Sequence, residues 1–342
     1  MSHTLHHLAL RLWRLKPQGS QTKRDFLSLA GLSTWEMSGL LDLAADVKAF
    51  PAAFHGVLEA KSLALIFEKP SLRTRVTFEV AMTQLGGHAI YLSPSDIAMG
   101  KREAVKDVAR NLSRWVEAIV VRTFAHHTLE EMAAESHVPV VNALSELLHP
   151  CQAVADFLTL REQKGRLAGL RLAYVGDGNN VAHSLAQAAA KSGVHFTIAT
   201  PRGYEPDATL FLRAREDALR TGATLLVVED PAEAVAGADA VYTDVWTSMG
   251  QEAETAARKE IFAPYQVNAT LMALARPDAM FLHCLPAHRG DEVTDDVLDG
   301  IHSAVLDQAE NRLHAAKAVL LALLGETWPE RTARNGVEAS AS

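Results

Sequence analysis

The sequence predicts an α/β protein made of two doubly wound parallel-sheet domains, with a long C-terminal helix that packs back on the first domain. Three observations support this fold class. Short, continuous apolar runs alternate with amphipathic helical segments along most of the chain, and such runs are typical of strands buried on both faces. Polar motifs follow several of these runs, at the edge of a parallel sheet where ligands bind. The 342 residues suit two domains of about 150 residues better than one compact core.

Composition and charge restrict the class of protein. Hydrophobic residues make up 48% of the chain and charged residues 22%, as in ordinary globular proteins. A formal net charge of −8 argues against a nucleic-acid surface, which needs clustered positive charge. The two cysteines, Cys151 and Cys284, are too few for a disulfide framework, and no apolar run approaches the roughly 20 residues that span a bilayer. We therefore expect a cytoplasmic protein that binds neither nucleic acid nor membrane.

The first half of the chain alternates strands with helical segments. Its predicted strands are 63–67, 88–92, 118–121 and 138–141. Ser33 and Glu36 offer a capping box for a helix ahead of the first strand. Arg122 stands at the end of the third strand, and the motif at 148–152 follows the fourth. Polar strand-to-helix junctions in this alternation predict a ligand site at the carboxyl edge of the sheet.

The junction at 69–75, Lys-Pro-Ser-Leu-Arg-Thr-Arg, gathers groups that bind anions. It follows the first strand and opens a helix, for which Ser71 is well placed as N-cap. Backbone N–H groups, the positive end of the helix dipole, two hydroxyls and two arginines would point at one place. A phosphate or a carboxylate is the expected ligand of such a site. The alternative is a capped helix with two surface arginines.

The second half begins after the polar stretch 163–167, where we place the domain boundary. Its predicted strands are 170–175, 194–199, 224–228 and short segments near Val241 and Phe281. Its predicted helices are 181–192, 207–220 and the long C-terminal helix 309–324. The predicted division is an N-terminal extension at 1–24, a first domain at 25–165, a second domain at 166–308, a C-terminal helix at 309–327 and a flexible tail at 328–342.

The loop at 176–180, Gly-Asp-Gly-Asn-Asn, has only part of a dinucleotide-binding pattern. Val181 occupies the position of the third glycine, and the next strand does not end in an acidic residue that would hold a ribose. We therefore do not expect a nicotinamide cofactor. Asn179 and Asn180 are interpreted as amide groups that face the cleft, with turn-forming asparagines as the alternative.

Two further motifs follow strands of the second half. The segment 244–250, Asp-Val-Trp-Thr-Ser-Met-Gly, offers a carboxylate that would hold an ammonium group, or it is an ordinary surface loop. The segment 283–290, His-Cys-Leu-Pro-Ala-His-Arg-Gly, combines an imidazole, a thiol and a proline that suits a cis peptide bond. Adjacent residues of an extended segment point apart, so we do not expect His283 and Cys284 to form a protease-type pair.

Read together, the motifs at 71–75, 148–152, 176–180, 244–250 and 283–290 resemble the transcarbamylase family over residues 24–325. Ser-x-Arg-Thr-Arg and His-Pro-x-Gln are patterns shared by its aspartate and ornithine branches, whereas Ser-Met-Gly and His-Cys-Leu-Pro resemble the ornithine branch. The resemblance implies transfer of the carbamoyl group of carbamoyl phosphate to the δ-amine of L-ornithine, giving L-citrulline and phosphate in arginine metabolism. It implies no metal, nucleotide or prosthetic group.

The resemblance also implies site residues, with carbamoyl phosphate bound by the first domain and ornithine by the second. The carbamoyl phosphate positions are Ser71, Leu72, Arg73, Thr74, Arg122, His149, Gln152, Cys284, Leu285 and Arg312. The ornithine positions are Asn180, Asp244, Ser248 and Met249. Catalytic roles fall to Arg73, Arg122, His149 and Cys284, and Arg75 is expected to be structural.

The family resemblance implies a homotrimer with sites near the subunit interfaces. A loop of the neighbouring subunit often supplies a glutamine in this family, but the corresponding loop at 95–100 has Ala98. Two other functions remain as alternatives. One is a transcarbamylase for a related amine such as N-acylated ornithine or putrescine, although Asp244 favours a free α-ammonium. The other is a non-catalytic homologue that binds carbamoyl phosphate.

Overall fold

The computed structural model describes residues 23–97, 99, 102–247 and 252–325, which contain two parallel β-sheets covered by helices. The predicted N-terminal extension at 1–24, apart from its last two residues, lies outside these ranges, as does the predicted tail at 328–342. Ala98, Ser248 and Met249 also lie outside them. The two sheets confirm the predicted fold class of two doubly wound α/β domains.

The first sheet contains four parallel strands. They are β1 (Ser62–Phe67), β2 (His88–Leu92), β3 (Ala118–Arg122) and β4 (Val140–Leu144). Their spatial order is β2-β1-β3-β4. The helices of this half are α1 (Thr34–Ala49), α2 (Leu72–Gln84), α3 (Pro94–Ile97), α4 (Val105–Leu112), α5 (His126–Glu135) and α6 (Pro150–Lys164). Phe67 pairs with Arg122, so the two central strands end side by side at one edge of the sheet.

Local chemistry fixes where the helices of the first half begin. The capping box predicted at Ser33 and Glu36 is confirmed, since the Ser33 hydroxyl accepts from the Glu36 N–H and the Glu36 carboxylate accepts from the Ser33 N–H. Ser71 caps α2 through a bond from the Thr74 N–H. Pro150 opens α6, where its missing N–H costs no hydrogen bond. Both α2 and α6 therefore begin at the carboxyl edge of the sheet.

The second sheet contains five parallel strands. They are β5 (Arg171–Val175), β6 (His195–Ala199), β7 (Leu225–Val228), β8 (Ala240–Thr243) and β9 (Met280–His283). The helices of this half are α7 (Asn180–Ser192), α8 (Ala208–Ala218), α9 (Pro231–Val235), α10 (Thr255–Phe262), α11 (Ala269–Met272) and α12 (Asp295–Leu298). In the order β7-β6-β5-β8-β9, the strands that follow β5 in the chain lie first on one side of it and then on the other. This change creates, beside β5, the switch point where open α/β sheets bind ligands.

The last helix, α13 (Val305–Leu324), packs against α1, α2 and α6, as predicted. Its buried residues Val319 and Leu320 join Phe157 of α6 and Leu185 of α7 in one apolar cluster. Because this cluster extends from one sheet to the other, α6, α7 and α13 hold the two halves together. Within the described ranges, no helix has the length and apolar character to cross a membrane.

Several element limits differ from the predicted ones, because buried polar residues interrupt the apolar pattern. The fourth strand extends to Leu144 because Asn142 is fully buried and donates to the Leu27 carbonyl at 3.0 Å. The last helix was predicted to begin at 309, because the polar Gln308 interrupts the apolar pattern. The helix begins at Val305, and Gln308 is buried within it. Helix α5 was not predicted at all, and residues 94–97 form a short helical turn after β2.

Candidate functional site

A cavity of about 810 Å³ lies where the carboxyl edges of the two sheets face each other. Its wall is formed by loops that follow strands of both sheets and by α13. The predicted site residues that line it are Ser71, Leu72, Arg73, Arg122, His149, Asn180, Asp244, Cys284, Leu285 and Arg312. Thr74 and Gln152 lie behind this surface, where both accept hydrogen bonds from Arg312. Ser248 and Met249 fall outside the described residues.

The N-terminus of α2 forms one wall of the cavity. The Thr74 N–H donates to the Ser71 hydroxyl at 3.3 Å, and the two hydroxyl oxygens lie 3.0 Å apart. This end of the helix offers backbone N–H groups and positive potential to an anion. Arg75 does not take part, because its guanidinium lies 3.6 Å from the ring centroid of Tyr91 and its Nε donates to Glu79 at 2.9 Å. These contacts agree with the structural role expected for Arg75.

Three guanidinium groups meet at this end of the cavity. Arg122 donates to the Thr74 hydroxyl at 3.4 Å, and Arg312 donates to the same hydroxyl at 2.9 Å, while Arg73 lines the adjoining wall. Burial, together with repulsion from Arg312 and Arg73, lowers the pKa of Arg122 to about 10. Among the described residues, no carboxylate forms an ion pair with any of the three. The arrangement therefore suits a multiply charged anion.

His149 is the N-cap residue of α6 and is almost completely buried. Its backbone N–H donates to the Ser184 hydroxyl of α7 at 2.7 Å. Burial, with repulsion from Arg312 and Arg122, lowers the pKa of the imidazole well below its ordinary 6.5. The ring is therefore neutral near pH 7, and its buried Nδ1 has no partner among the described protein groups. A neutral imidazole in this place can donate a hydrogen bond to a ligand carbonyl oxygen.

Gln152 makes hydrogen bonds at both ends of its side-chain amide, and both are to protein groups. The oxygen accepts from Arg312, and the nitrogen donates to Asp156 at 2.7 Å. The side chain is 1% exposed and does not reach the cavity surface. In this structure Gln152 therefore positions Arg312.

Asp244 follows β8 of the second sheet and is held by two donors. Its carboxylate accepts from the Asn179 amide at 2.9 Å and from the Cys284 thiol at 3.0 Å. Burial and the negative charge of Asp244 raise the pKa of Cys284 well above its ordinary 9.0, so the sulfur stays a thiol. Asn180, predicted as an ornithine contact, donates its side-chain amide to the Ser145 carbonyl at 2.6 Å. Of the two asparagines, Asn179 is the one that contacts the carboxylate.

The His283 ring is bonded to groups other than Cys284, so the two residues do not form a protease-type pair, although their side chains lie closer together than expected for an extended segment. Its Nδ1 accepts from the Leu285 N–H at 2.8 Å, and its Nε2 donates to the Glu292 carboxylate at 3.1 Å. The Leu285–Pro286 peptide bond is cis. Ligand atoms of Asp244, His283 and Cys284 lie within 4.8 Å of one another, which is a spacing that metal ligands also show. Hydrogen bonds to protein groups occupy both ring nitrogens of His283 and account for this spacing.

Sequence reasoning missed a buried ion pair in the wall of the cavity. Arg258 of α10 donates to the Asp177 carboxylate at 3.0 Å and to the Trp246 carbonyl at 2.8 Å. Burial raises the pKa of Asp177 to about 6 although the Arg258 charge opposes the shift. The pair ties the loop after β5 to the loop after β8. Arg258 follows no strand and belongs to no motif, so no signal in the sequence pointed to it.

Asp156, behind Gln152, allows a prediction about stability. Burial raises its pKa from an ordinary 3.8 to about 7, despite hydrogen bonds from Gln152, Gln308 and Tyr242. A carboxyl group with a raised pKa makes folding less favourable as the pH rises from about 4 to about 7, by about 4 kcal/mol at most. Asp156→Asn lacks this effect. We expect the unfolding free energy of Asp156→Asn, relative to the unsubstituted protein, to increase by a few kcal/mol between pH 4 and pH 8. Denaturant titrations at both pH values measure this, and a pH-independent difference would contradict it.

Comparison with known protein families matches two adjoining segments of the chain. Residues 24–162 match the family described as "Aspartate/ornithine carbamoyltransferase, carbamoyl-P binding domain". Residues 168–323 match "Aspartate/ornithine carbamoyltransferase, Asp/Orn binding domain". These two segments contain the two walls of the cavity described above.

Individual proteins resemble the chain over almost its whole described length. The ornithine carbamoyltransferase of Anoxybacillus flavithermus is 54% identical over 88% of this chain and 96% of its own. That of Halalkalibacterium halodurans is 54% identical over 94% of this chain and 99% of its own. The solved structure of ornithine carbamoyltransferase from Pyrococcus furiosus superposes with a TM-score of 0.87 at 51% identity, covering 90% of this chain and 99% of its own. With its cavity, its motifs and these relatives, the chain belongs to the aspartate/ornithine carbamoyltransferase family.

Proposed function

We propose that the protein transfers the carbamoyl group of carbamoyl phosphate to the δ-amine of L-ornithine, giving L-citrulline and phosphate. The observation that carries this proposal is the polarity of the cavity. Three guanidinium groups and a helix N-terminus line the cavity on the side of the first sheet and α13, and the buried Asp244 carboxylate lines it on the side of the second sheet. Such a cavity holds a phosphorylated donor against a substrate that carries an ammonium group. The relatives at 54% identity are named ornithine carbamoyltransferase, which supports the same reaction.

The proposed binding of carbamoyl phosphate depends on the part of the cavity formed by Arg73, Arg122, Arg312 and the N-terminus of α2, which we call the cationic end. The phosphate is bound by the Ser71 and Thr74 hydroxyls, the backbone at Leu72 and the guanidiniums of Arg73 and Arg312. These groups neutralise the charge that grows on phosphate as its bond to the carbonyl carbon breaks.

The carbamoyl group itself is bound by a second set of donors. Arg122 bridges the phosphate and the carbonyl oxygen, and the neutral His149 donates to that oxygen. Gln152, which the resemblance places at the carbamoyl amide, acts on the donor through Arg312, because both ends of its own amide are bonded to Arg312 and Asp156. The carbonyl oxygen becomes negative in the tetrahedral species, so these donors contribute most at that stage.

The ornithine half rests on Asp244, which pairs with the α-ammonium. Asn180 and the predicted contacts Ser248 and Met249 complete this half. Cys284 and the Leu285 carbonyl lie near the δ-amine. Because Cys284 stays a thiol that donates to Asp244, its role is to hold that carboxylate and not to attack the substrate.

The pH dependence of the rate follows from these protonation states. His149 is neutral and Cys284 is protonated throughout pH 6–9, because the pKa of His149 is well below 6.5 and that of Cys284 is well above 9.0. The attacking δ-amine, like a lysine, has an ordinary pKa of about 10.4 and must lose its proton. Asp156, whose pKa is raised to about 7, is mostly ionised above about pH 8. We therefore expect kcat/KM for ornithine to rise about tenfold per pH unit between about pH 8 and pH 9. Initial rates in a buffer series measure it, and a plateau within that interval would contradict it.

The direct test is an assay of citrulline from carbamoyl phosphate and a panel of amines. We expect product with L-ornithine and little with N-acetylornithine, N-succinylornithine or putrescine. Acylation removes the α-ammonium that Asp244 would bind, and putrescine lacks the α-carboxylate. Product only from another amine would favour the related transcarbamylase. Tight binding of carbamoyl phosphate without any product would favour the non-catalytic homologue.

Assembly, direction and location are parts of the same proposal. A homotrimer with sites near subunit interfaces and a cytoplasmic location follow from the family resemblance. The Pyrococcus furiosus relative is named anabolic, which supports the biosynthetic direction here. We also keep 25–165 as the carbamoyl phosphate domain and 166–308 as the ornithine domain, in line with the segments that the family matches.

A further inference from the structure

Asp156 is a buried carboxylate at the contact between the two halves of the molecule. One of its oxygens accepts from the side-chain amides of Gln152 at 2.7 Å and Gln308 at 2.6 Å. The other accepts from the Tyr242 hydroxyl at 3.3 Å. The donors come from α6, α13 and β8, so elements of both sheets and the last helix converge on one side chain. Asp156 itself is fully buried and does not line the cavity.

A carboxylate fixes the orientation of a glutamine amide, because it can accept only from the nitrogen end. The Gln152 nitrogen must therefore face Asp156, and its oxygen must face the opposite way. That oxygen accepts from Arg312, which in turn donates to the Thr74 hydroxyl at 2.9 Å. Asp156 thus determines, through one amide, where a cavity guanidinium of the cationic end lies.

The same argument applies to Gln308 and leads to the side of the cavity that Asp244 lines. Its nitrogen donates to Asp156 and, at 3.1 Å, to the Tyr242 hydroxyl oxygen. Its oxygen accepts from the backbone N–H of His283 at 2.9 Å. His283 directly precedes Cys284, whose thiol donates to Asp244. A rotated Gln308 amide would place two N–H donors face to face and loosen this segment.

We propose that Asp156 is a positioning residue for both halves of the site, because it fixes the amides of Gln152 and Gln308 with their oxygens toward Arg312 and the His283 N–H. The assignment of the two halves to carbamoyl phosphate and ornithine rests on the function proposed above. The positioning itself rests on the hydrogen bonds alone. A carboxylate is retained here at a cost in stability, since burial disfavours its charged form.

A neighbouring network on the same helices gives a matched control. The Thr159 hydroxyl accepts from the Asn311 amide at 2.9 Å and is as deeply buried as Asp156. It joins α6 to α13, one turn further from the cavity, and its partner Asn311 contacts only groups outside the cavity wall. Thr159→Val is nearly isosteric and removes a buried hydrogen bond between the same two helices.

The experiment compares Asp156→Ala, Asp156→Asn and Thr159→Val in the full chain. The readouts are the Kd of inorganic phosphate by calorimetry, the KM for ornithine and the melting temperature. Alanine removes the acceptor, so we expect both constants to rise at least tenfold. Asparagine keeps an oxygen for the two amides and turns its nitrogen to the Tyr242 oxygen, so both constants should stay within about threefold. Thr159→Val should lower the melting temperature and leave both constants within twofold.

Two outcomes would overturn the proposal. If Asp156→Ala lowers only the melting temperature, the side chain is merely structural. If Asp156→Asn is as impaired as Asp156→Ala, the charge matters and the amide orientation does not. Phosphate binding needs no turnover, so it tests the Gln152 side even if the unsubstituted protein makes no citrulline. Absence of citrulline would then count against the proposed function and leave the positioning of Arg312 under test.

Gln308→Met separates the two sides and remains informative if Asp156→Ala does not fold. Methionine has nearly the shape of glutamine but cannot bind Asp156 or the His283 N–H. We expect the KM for ornithine to rise about tenfold and the phosphate Kd to stay within twofold. If neither constant changes, Gln308 does not link Asp156 to the ornithine half of the site. If both change, the effect of Gln308 is not confined to that half.

Discussion

Arg73→Ala is expected to lower kcat/KM by about 10³-fold while the protein stays folded. Its half-buried guanidinium lines the cationic end of the cavity, and no other residue in the described ranges forms a hydrogen bond or ion pair with it. Its charge is therefore available to the departing phosphate, where one preorganised donor typically contributes about 3 to 4 kcal/mol. Steady-state kinetics and circular dichroism of the same preparation measure both parts of the prediction.

Arg75→Ala is the matched control for this substitution. The two arginines are separated by one residue in α2, but Arg75 is exposed and contacts Glu79 and Tyr91. Its removal should leave kcat/KM within about threefold, since a surface ion pair contributes at most about 1 kcal/mol. Near-normal activity of Arg73→Ala, or an equal loss in both variants, would show that the anion is bound elsewhere.

Asp244→Asn is expected to raise the KM for ornithine by roughly 30- to 1,000-fold. Removing one partner of a buried charge pair costs about 2 to 4 kcal/mol, because the ammonium is then buried without its counter-charge. Asparagine also places an amide against either the Asn179 amide or the Cys284 thiol, which both donate to the carboxylate now. Saturation curves for ornithine at fixed carbamoyl phosphate measure the effect.

The second substrate gives the internal control for Asp244→Asn. The KM for carbamoyl phosphate should change little, because Asp244 follows a strand of the second sheet and, among the described residues, is bonded to Asn179 and Cys284 and not to the guanidiniums. An unchanged KM for ornithine would remove Asp244 from the proposed site. An equal rise for both substrates would indicate a general distortion of the cavity.

The sequence predicted those parts of the fold and site whose physics is local in the chain. The central strands β1 and β3 are buried on both faces and read as continuous apolar runs, and the capped start of α2 depends on neighbours only three residues apart. Motifs that follow parallel strands necessarily meet at one edge of a sheet. The sequence alone therefore places Arg73, Arg122 and His149 together.

The parts that were missed depend on contacts between distant segments. Asp156 and Gln308 are separated by 152 residues, and Arg258 and Asp177 by 81. A buried polar side chain in a helix has the same appearance in the sequence as an exposed one, because its partner is set by tertiary packing. For the same reason, the buried polar residues Asn142 and Gln308 made the predicted limits of β4 and α13 wrong.

Three guanidinium groups, those of Arg73, Arg122 and Arg312, lie close together, and no carboxylate among the described residues forms an ion pair with them. This has a consequence for the choice of buffer. Like charges held together oppose folding, so the unliganded chain keeps a local instability that a multivalent anion relieves. Phosphate or sulfate in the buffer should protect the protein against heat by occupying this place, in proportion to their affinity. The same guanidinium groups that bind a phosphorylated donor therefore also make the thermal stability of the protein depend on the anions in the buffer.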